Sequence, residues 1–132
     1  MASASTKQFV TAFNDYFMDF INDIVLIFPY EEPILRAKAS VESIIKLDYK
    51  MLITVWKYYI VAGYENQINA GNIDFFITKD YSDDLRSVSG AEKILQSIND
   101  LRSKISGMSD DNKAKTILYI QNLTKIAKMC QV

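Results

Sequence analysis

Residues 7–28 read KQFVTAFNDYFMDFINDIVLIF, and the spacing of Phe9, Phe13, Tyr16, Phe17, Phe20, Ile24, Ile27 and Phe28 within them decides the fold class. These side chains recur every three or four positions, which a 3.6-residue helix gathers onto one face. Ser5 with Gln8 has the form of a capping box at the start. Pro29 sets the end, because the residue before a proline is disfavoured in the helical region. The expectation is a helix of about six turns. An aromatic seam of that width has to close against other helices.

Reading outward, PYEEP is a turn, and Pro33 suits the first position of a second helix over residues 33–47. Its inward face is Ile34, Ala37, Val41, Ile44 and Ile45, with Arg36, Lys38, Glu42 and Lys46 in water. Ala37, Ala39, Ser40 and Ser43 leave room for a close neighbour. Asp48 is the expected cap of a third helix, residues 49–62, burying Leu52, Val55, Trp56, Tyr59 and Ile60. Its core MLITVWKYYIV is apolar nearly all round, which predicts the most buried element of the fold. Gly63 allows a bend before YENQINAG, and Gly71 is placed as a left-handed cap. Asn72 then caps a short helix holding Ile73, Phe75, Phe76 and Ile77.

The stretch TKDYSDDLRSVSG reads as a surface loop and hinge, with one helical turn at residues 84–88. Ser89 and Glu92 form a second capping box, opening a helix over residues 90–105 that turns Ile94, Leu95, Ile98, Leu101 and Ile105 inward. Gly107 closes it. Ser109, with Asp110 and Asp111 in a favourable first turn, starts the last helix, which carries Ile117, Ile120, Leu123, Thr124, Ala127 and Cys130 inward. No alternating strand pattern of useful length occurs. The chain therefore reads as an all-α bundle of five main helices plus one or two short ones. An N-terminal array (5–78), a loop (79–89) and a C-terminal helical hairpin (90–130) are each too small to core alone, so a single domain is expected.

Composition agrees: 132 residues at 49% hydrophobic and 23% charged suffice for one buried core and are not those of a disordered tail. The net charge of −1 argues against non-specific nucleic-acid binding. Charge is nonetheless polarised along the chain. Residues 1–32 hold Lys7 against Asp15, Asp19, Asp23, Glu31 and Glu32. Residues 101–132 hold Arg102, Lys104, Lys113, Lys115, Lys125 and Lys128 against Asp110 and Asp111. Two arrangements follow: the ends lie together and partly neutralise, or copies associate head to tail. A lone cysteine, Cys130, precludes an internal disulfide, and MASASTKQ lacks the features of a signal peptide, so an intracellular, reducing location is expected. Asp15, Asp19 and Asp23 interrupt the longest apolar segment and argue against a membrane span.

Catalytic groups are sparse. The chain has no histidine, which removes the commonest general base and metal ligand and every Ser-His or Cys-His pair. Its four glycines, at 63, 71, 90 and 107, form no phosphate-cradling loop. No cofactor, metal or small-molecule substrate is expected, and no enzyme. Asp15, Asp19 and Asp23 share one helix face and in principle face a cation, but read better as a solvated stripe opposite Lys or Arg. Cys130 beside Lys128 reads as packing rather than as a nucleophile.

What remains is an aromatic cluster of Tyr58, Tyr59, Tyr64, Phe75, Phe76 and Tyr81. Adjacent on one short helix, Phe75 and Phe76 cannot both enter the same core. Tyr64, Phe75, Phe76 and Tyr81 are accordingly the candidate partner-binding residues, in competition with plain core filling. The run DYKMLITVWKYY interleaves basic and aromatic residues as single-strand binders do, but its Trp56 and Tyr59 are expected to be buried.

Three pieces in order, FNDYFMDFINDIVLIFPYEEP, YKMLITVWKYYIVAGYENQINAGNIDFFITKDYSDDL and DNKAKTILYIQNLTKIAKMC, resemble small uncharacterised helical proteins of large eukaryotic DNA viruses. The resemblance implies a virus-encoded protein, in host cytoplasm or virion, with no catalytic residues to carry over. The function expected is a non-enzymatic helical interaction module, a structural or adaptor protein of a particle or assembly. The alternative is a Bcl-2-like host-directed regulator that captures a partner helix in a groove.

Overall fold

In the computed structural model, which describes residues 2–78 and 91–130, the aromatic helix α1 runs over Ala2–Ile27. Its backbone is helical from Ala2, so the helix starts upstream of the Ser5 cap expected from the sequence. The seam closes as its spacing dictates: Phe13, Phe20 and Ile24 are buried, and Phe9, Tyr16, Phe17 and Phe28 are half-buried. Ile27 departs from it and is exposed, while Val10 and Ile21 join it with no exposed surface.

Helix α2 (Glu32–Leu47) carries Pro33 in its first turn and buries Ile34, Ala37, Val41 and Ile44. Asp48 ends α2 instead of capping the next helix. Its Oδ1 accepts from the Lys50 amide at 3.1 Å, a local side-chain turn that leaves Tyr49 outside the helix and exposed. A nearly continuous rod follows, made of α3 (Met51–Val55), a π-helical turn over Trp56–Val61, and α4 (Ala62–Asn69). Within it the Ala62 amide reaches back five residues to the Lys57 carbonyl. Beside Gly63 the rod kinks at Tyr64 (φ −133°, ψ 17°). Its MLITVWKYYIV part is the most buried stretch, as expected: Ile53, Val55, Ile60 and Val61 are buried, Trp56 and Tyr59 are half-buried, and Tyr58 alone is exposed. In α1, Val10, Phe13 and Ile21 are wholly shielded on one face, while the opposite face is exposed. Gly71 adopts the left-handed conformation (φ 71°) at the end of α4. Asn72 caps α5 (Ile73–Thr78), its Oδ1 accepting from the Phe75 amide at 3.2 Å.

The last two helices, α6 (Ala91–Ile105) and α7 (Asp110–Met129), fold back over the array: α6 packs mainly on α2, and α7 on α1 and the π-helical turn. Ser109 caps α7, its Oγ accepting from the Asn112 amide at 3.2 Å. The 79–89 loop, its hinge and the Ser89–Glu92 capping box lie outside the described residues. Among the described residues there is no strand, and the architecture is an all-α single domain of five main helices, counting the rod as one, plus the short α5. Two hydrophobic clusters make the core, one under α1, α2 and α7 and one around the rod, α5 and α6; Leu52, Trp56 and Ile73 pack against both.

The acidic and basic ends meet within one copy. Lys104 pairs with Glu31 at 2.8 Å, and the Tyr119 hydroxyl donates to Asp23. The Cys130 thiol near the end of α7 lies 3.8 Å from the Thr6 carbonyl near the start of α1, so the two helices run antiparallel.

Candidate functional site

The aromatic cluster separates into two faces. Phe75 meets Tyr64, which sits at the kink within α4, in a tilted pair with ring centroids 5.4 Å apart. Phe76 meets Phe75 edge-on, also at 5.4 Å, but packs against the second cluster with Ile68, Ile94 and Ile120. The two neighbours therefore point apart, as adjacent positions on a helix require. Tyr81, the fourth candidate, lies outside the described residues. All three described rings are half-buried, and edge-to-face and tilted pairs of this spacing hold them rigid.

Beneath Phe76 is a feature that no sequence motif announced. A cavity of about 120 Å³ opens where α1, the π-helical turn, α5, α6 and α7 converge, lined among others by Phe17, Phe20, Trp56, Ile60, Phe76 and Ile98. Trp56 is fixed there by its indole N–H, which donates to Thr124 Oγ1 at 3.0 Å while that hydroxyl donates to the Ile120 carbonyl at 2.8 Å. The sequence signal was present only as excess: MLITVWKYYIV has more apolar faces than one helix interface consumes.

A second missed feature is polar. Asp100 is buried, and Arg36, expected wholly in water, reaches it across the α2–α6 interface through Nε (3.1 Å to Oδ2) and Nη2 (2.8 Å to Oδ1). Gln96 Nε2 adds a third donor at 2.9 Å. The hydrogen bond and the charge of Asp100 push the Arg36 guanidinium further up from its already high value. A carboxylate on the inward stripe of α6 was the legible clue, since a buried charge requires a partner. With its acceptors paired in this bidentate fork, the group is structural, not a reactive acid.

The remaining candidates do not assemble a chemistry. Asp15 and Asp19 are exposed, and Asp23 is engaged by Tyr119. Burial, and secondly the bond to Asp23, pushes the Tyr119 phenol well above the ordinary tyrosine range. No group of three or more Cys, Asp or Glu side chains among the described residues is placed to hold a metal ion. Burial pushes the Cys130 thiol up, with Lys57 and Lys50 pulling weakly the other way, so thiolate is disfavoured. Among the described residues no helix is long and apolar enough to cross a membrane. No known protein family, curated protein or solved structure matches the chain.

Proposed function

We propose that the protein is a non-enzymatic helical interaction module, a structural or adaptor component of a virus-encoded particle or assembly, that engages a protein partner through the Tyr64–Phe75 ledge. The observation that carries this reading is the tilted Tyr64–Phe75 ring pair at the kink of the rod, in which both rings keep partial exposure while Tyr64 also packs against the second core cluster. Rigid aromatic rings lose little side-chain entropy on docking and bury large area, which is why they anchor interfaces. The near-neutral net charge favours protein over nucleic acid as partner. Viral origin is supported by the sequence resemblance, and the absence of histidine supports a binding role over catalysis.

Capture of a partner helix in a Bcl-2-like groove has less support. A bound helix seats several anchors at i, i+3, i+4 and i+7, whereas the cavity under Phe76 is the size of one side chain. Phe75 also makes a cleaner probe than Phe76, whose replacement would disturb the core. Phe75→Asp should keep the helical circular dichroism of the wild type and lose the proteins that co-purify from the native context, with Phe75→Tyr retaining them. An unchanged set of co-purifying proteins, from a Phe75→Asp variant that remains folded, would count decisively against the ledge.

A further inference from the structure

We infer that the cavity under Phe76 is a binding site for a small uncharged apolar molecule, about the size of one aromatic ring or a short branched alkyl chain. Three observations support this independently of the ledge. The first is volume: an apolar cavity of about 150 Å³ takes up benzene or xenon, and this one, open on one side, measures about 120 Å³. The second is lining. Aromatic and aliphatic side chains make up the wall, and Arg102 is the one charged residue among them. A resident water needs two to four polar partners, which such a wall does not offer. An empty site forfeits dispersion contacts along its apolar walls, so an apolar occupant is favoured over vacancy.

The third observation is the backbone. Trp56 and Ile60 both come from the six-residue π-helical turn, a conformation that is rare and concentrated at functional sites. In an ordinary α-helical rod these two positions, four apart, would stack along one stripe and close on the facing helices as the α1 seam does. Both still line the cavity, Trp56 lying edge-on to Phe17 at 6.2 Å, and the free space is what this contact and Ile98 leave unfilled. The Trp56–Thr124 hydrogen bond holds the indole against collapse into that space. Size sets the specificity: a charged headgroup would lose its hydration against this wall, and a long acyl chain would leave most of its length outside, in water.

Trp56 is the only tryptophan, so its emission reports occupancy directly. Iodobenzene, titrated into the full chain, should quench that emission saturably through its heavy atom, with half-saturation on the order of a millimolar or below. Benzene should reverse the quenching competitively, and at saturation should raise the wild-type melting temperature by roughly 2–6 °C. Ile98→Phe, which fills the space, should weaken the quenching about tenfold while melting cooperatively. If that variant does not fold, the wild-type competition and melting shift decide the matter alone. Quenching that is linear in iodobenzene and untouched by benzene would overturn the assignment. So would decanoate binding more than about tenfold tighter than benzene, which would make the cavity the end of a channel. An emission maximum that moves with protein concentration alone would make a second copy the occupant, and would overturn it equally.

Discussion

The wall between α1 and α7 and the corner formed by the rod, α5 and α6 draw on the same residue types, yet the first closes more tightly: the space left in it is about 30 Å³, against about 120 Å³ in the corner. In the wall, Val10, Phe13, Ile21, Leu123, Ala127 and Cys130 have no exposed surface. In the corner α5 has no buried residue, Ile60 and Ile94 keep some exposure, and the cavity remains. The difference lies in helix regularity, not in hydrophobicity. A 26-residue helix with one continuous stripe presents its knobs in register to its neighbour over its whole length. The corner is assembled from a π-helical turn, a kink and a six-residue helix, each of which resets the register. Apolar content commits a segment to burial; unbroken periodicity lets the burial be tighter.

The largest expected effect tests that contrast directly. Phe13→Ala empties a fully enclosed ring and should cost about 3–5 kcal/mol of unfolding free energy. Phe76→Ala removes a half-buried ring beside existing free volume, and should cost roughly 1–2 kcal/mol. Urea unfolding followed at 222 nm measures both. Equal losses would show that the corner is as tightly packed as the wall.

Next in size is the strut between α2 and α6. Arg36→Met strands the Asp100 carboxylate in a buried position with Gln96 as its remaining donor, whereas Arg36→Met with Asp100→Leu removes the charge as well. The double variant should be the more stable of the two, and Arg36→Met should lose clearly more stability than disruption of the exposed Lys128–Glu65 pair. If the double variant is no more stable than the single, Asp100 is better hydrated than its burial implies.

How much of this was legible follows from the same contrast. The α1 seam, the inward face of α2, Ser109 as a cap and Gly71 as a left-handed position each depend on residues within four places of one another, so local pattern sufficed. Asp48 misled because Asp serves a local turn as readily as a helix start. The π-helical turn has no local signature at all, and the Arg36–Asp100 pair joins residues 64 positions apart. The candidate site was legible in half: the opposite directions of Phe75 and Phe76 followed from adjacency, but what each ring meets depends on the kink at Tyr64 and on α6.

A smaller effect of opposite sign probes the corner's irregularity. A Cβ added at Gly63 meets nothing within 4 Å, and this glycine does not have positive φ. Gly63→Ala should therefore stabilise the protein by about 0.5–1 kcal/mol, through better helix propensity and a less flexible unfolded chain. A thermal melt is sufficient to read it. Destabilisation instead would show that the kink at Tyr64 needs the freedom of its glycine neighbour, which would make the corner's looseness a maintained feature.

The smallest effect shows its signature at alkaline pH and belongs to the wall. Tyr119 stacks on Tyr16 and Phe20 at 4.9 and 5.1 Å, and its phenol is pushed up first by burial and second by the bond to Asp23. A phenol whose folded value is raised contributes stability that is fully present below the unfolded value near 10. That contribution is lost as pH rises above 10, because the unfolded chain ionises while the folded one holds its proton. Tyr119→Phe should therefore lower stability modestly at pH 7, where the bond to Asp23 is lost, and flatten the decline with pH above 10, as urea midpoints at pH 7 and above pH 10 would show. Asp23→Asn separates the two causes. If burial dominates, most of the alkaline slope survives in that variant; if it vanishes, the wall owes its alkaline behaviour to one hydrogen bond and not to the closeness of its packing.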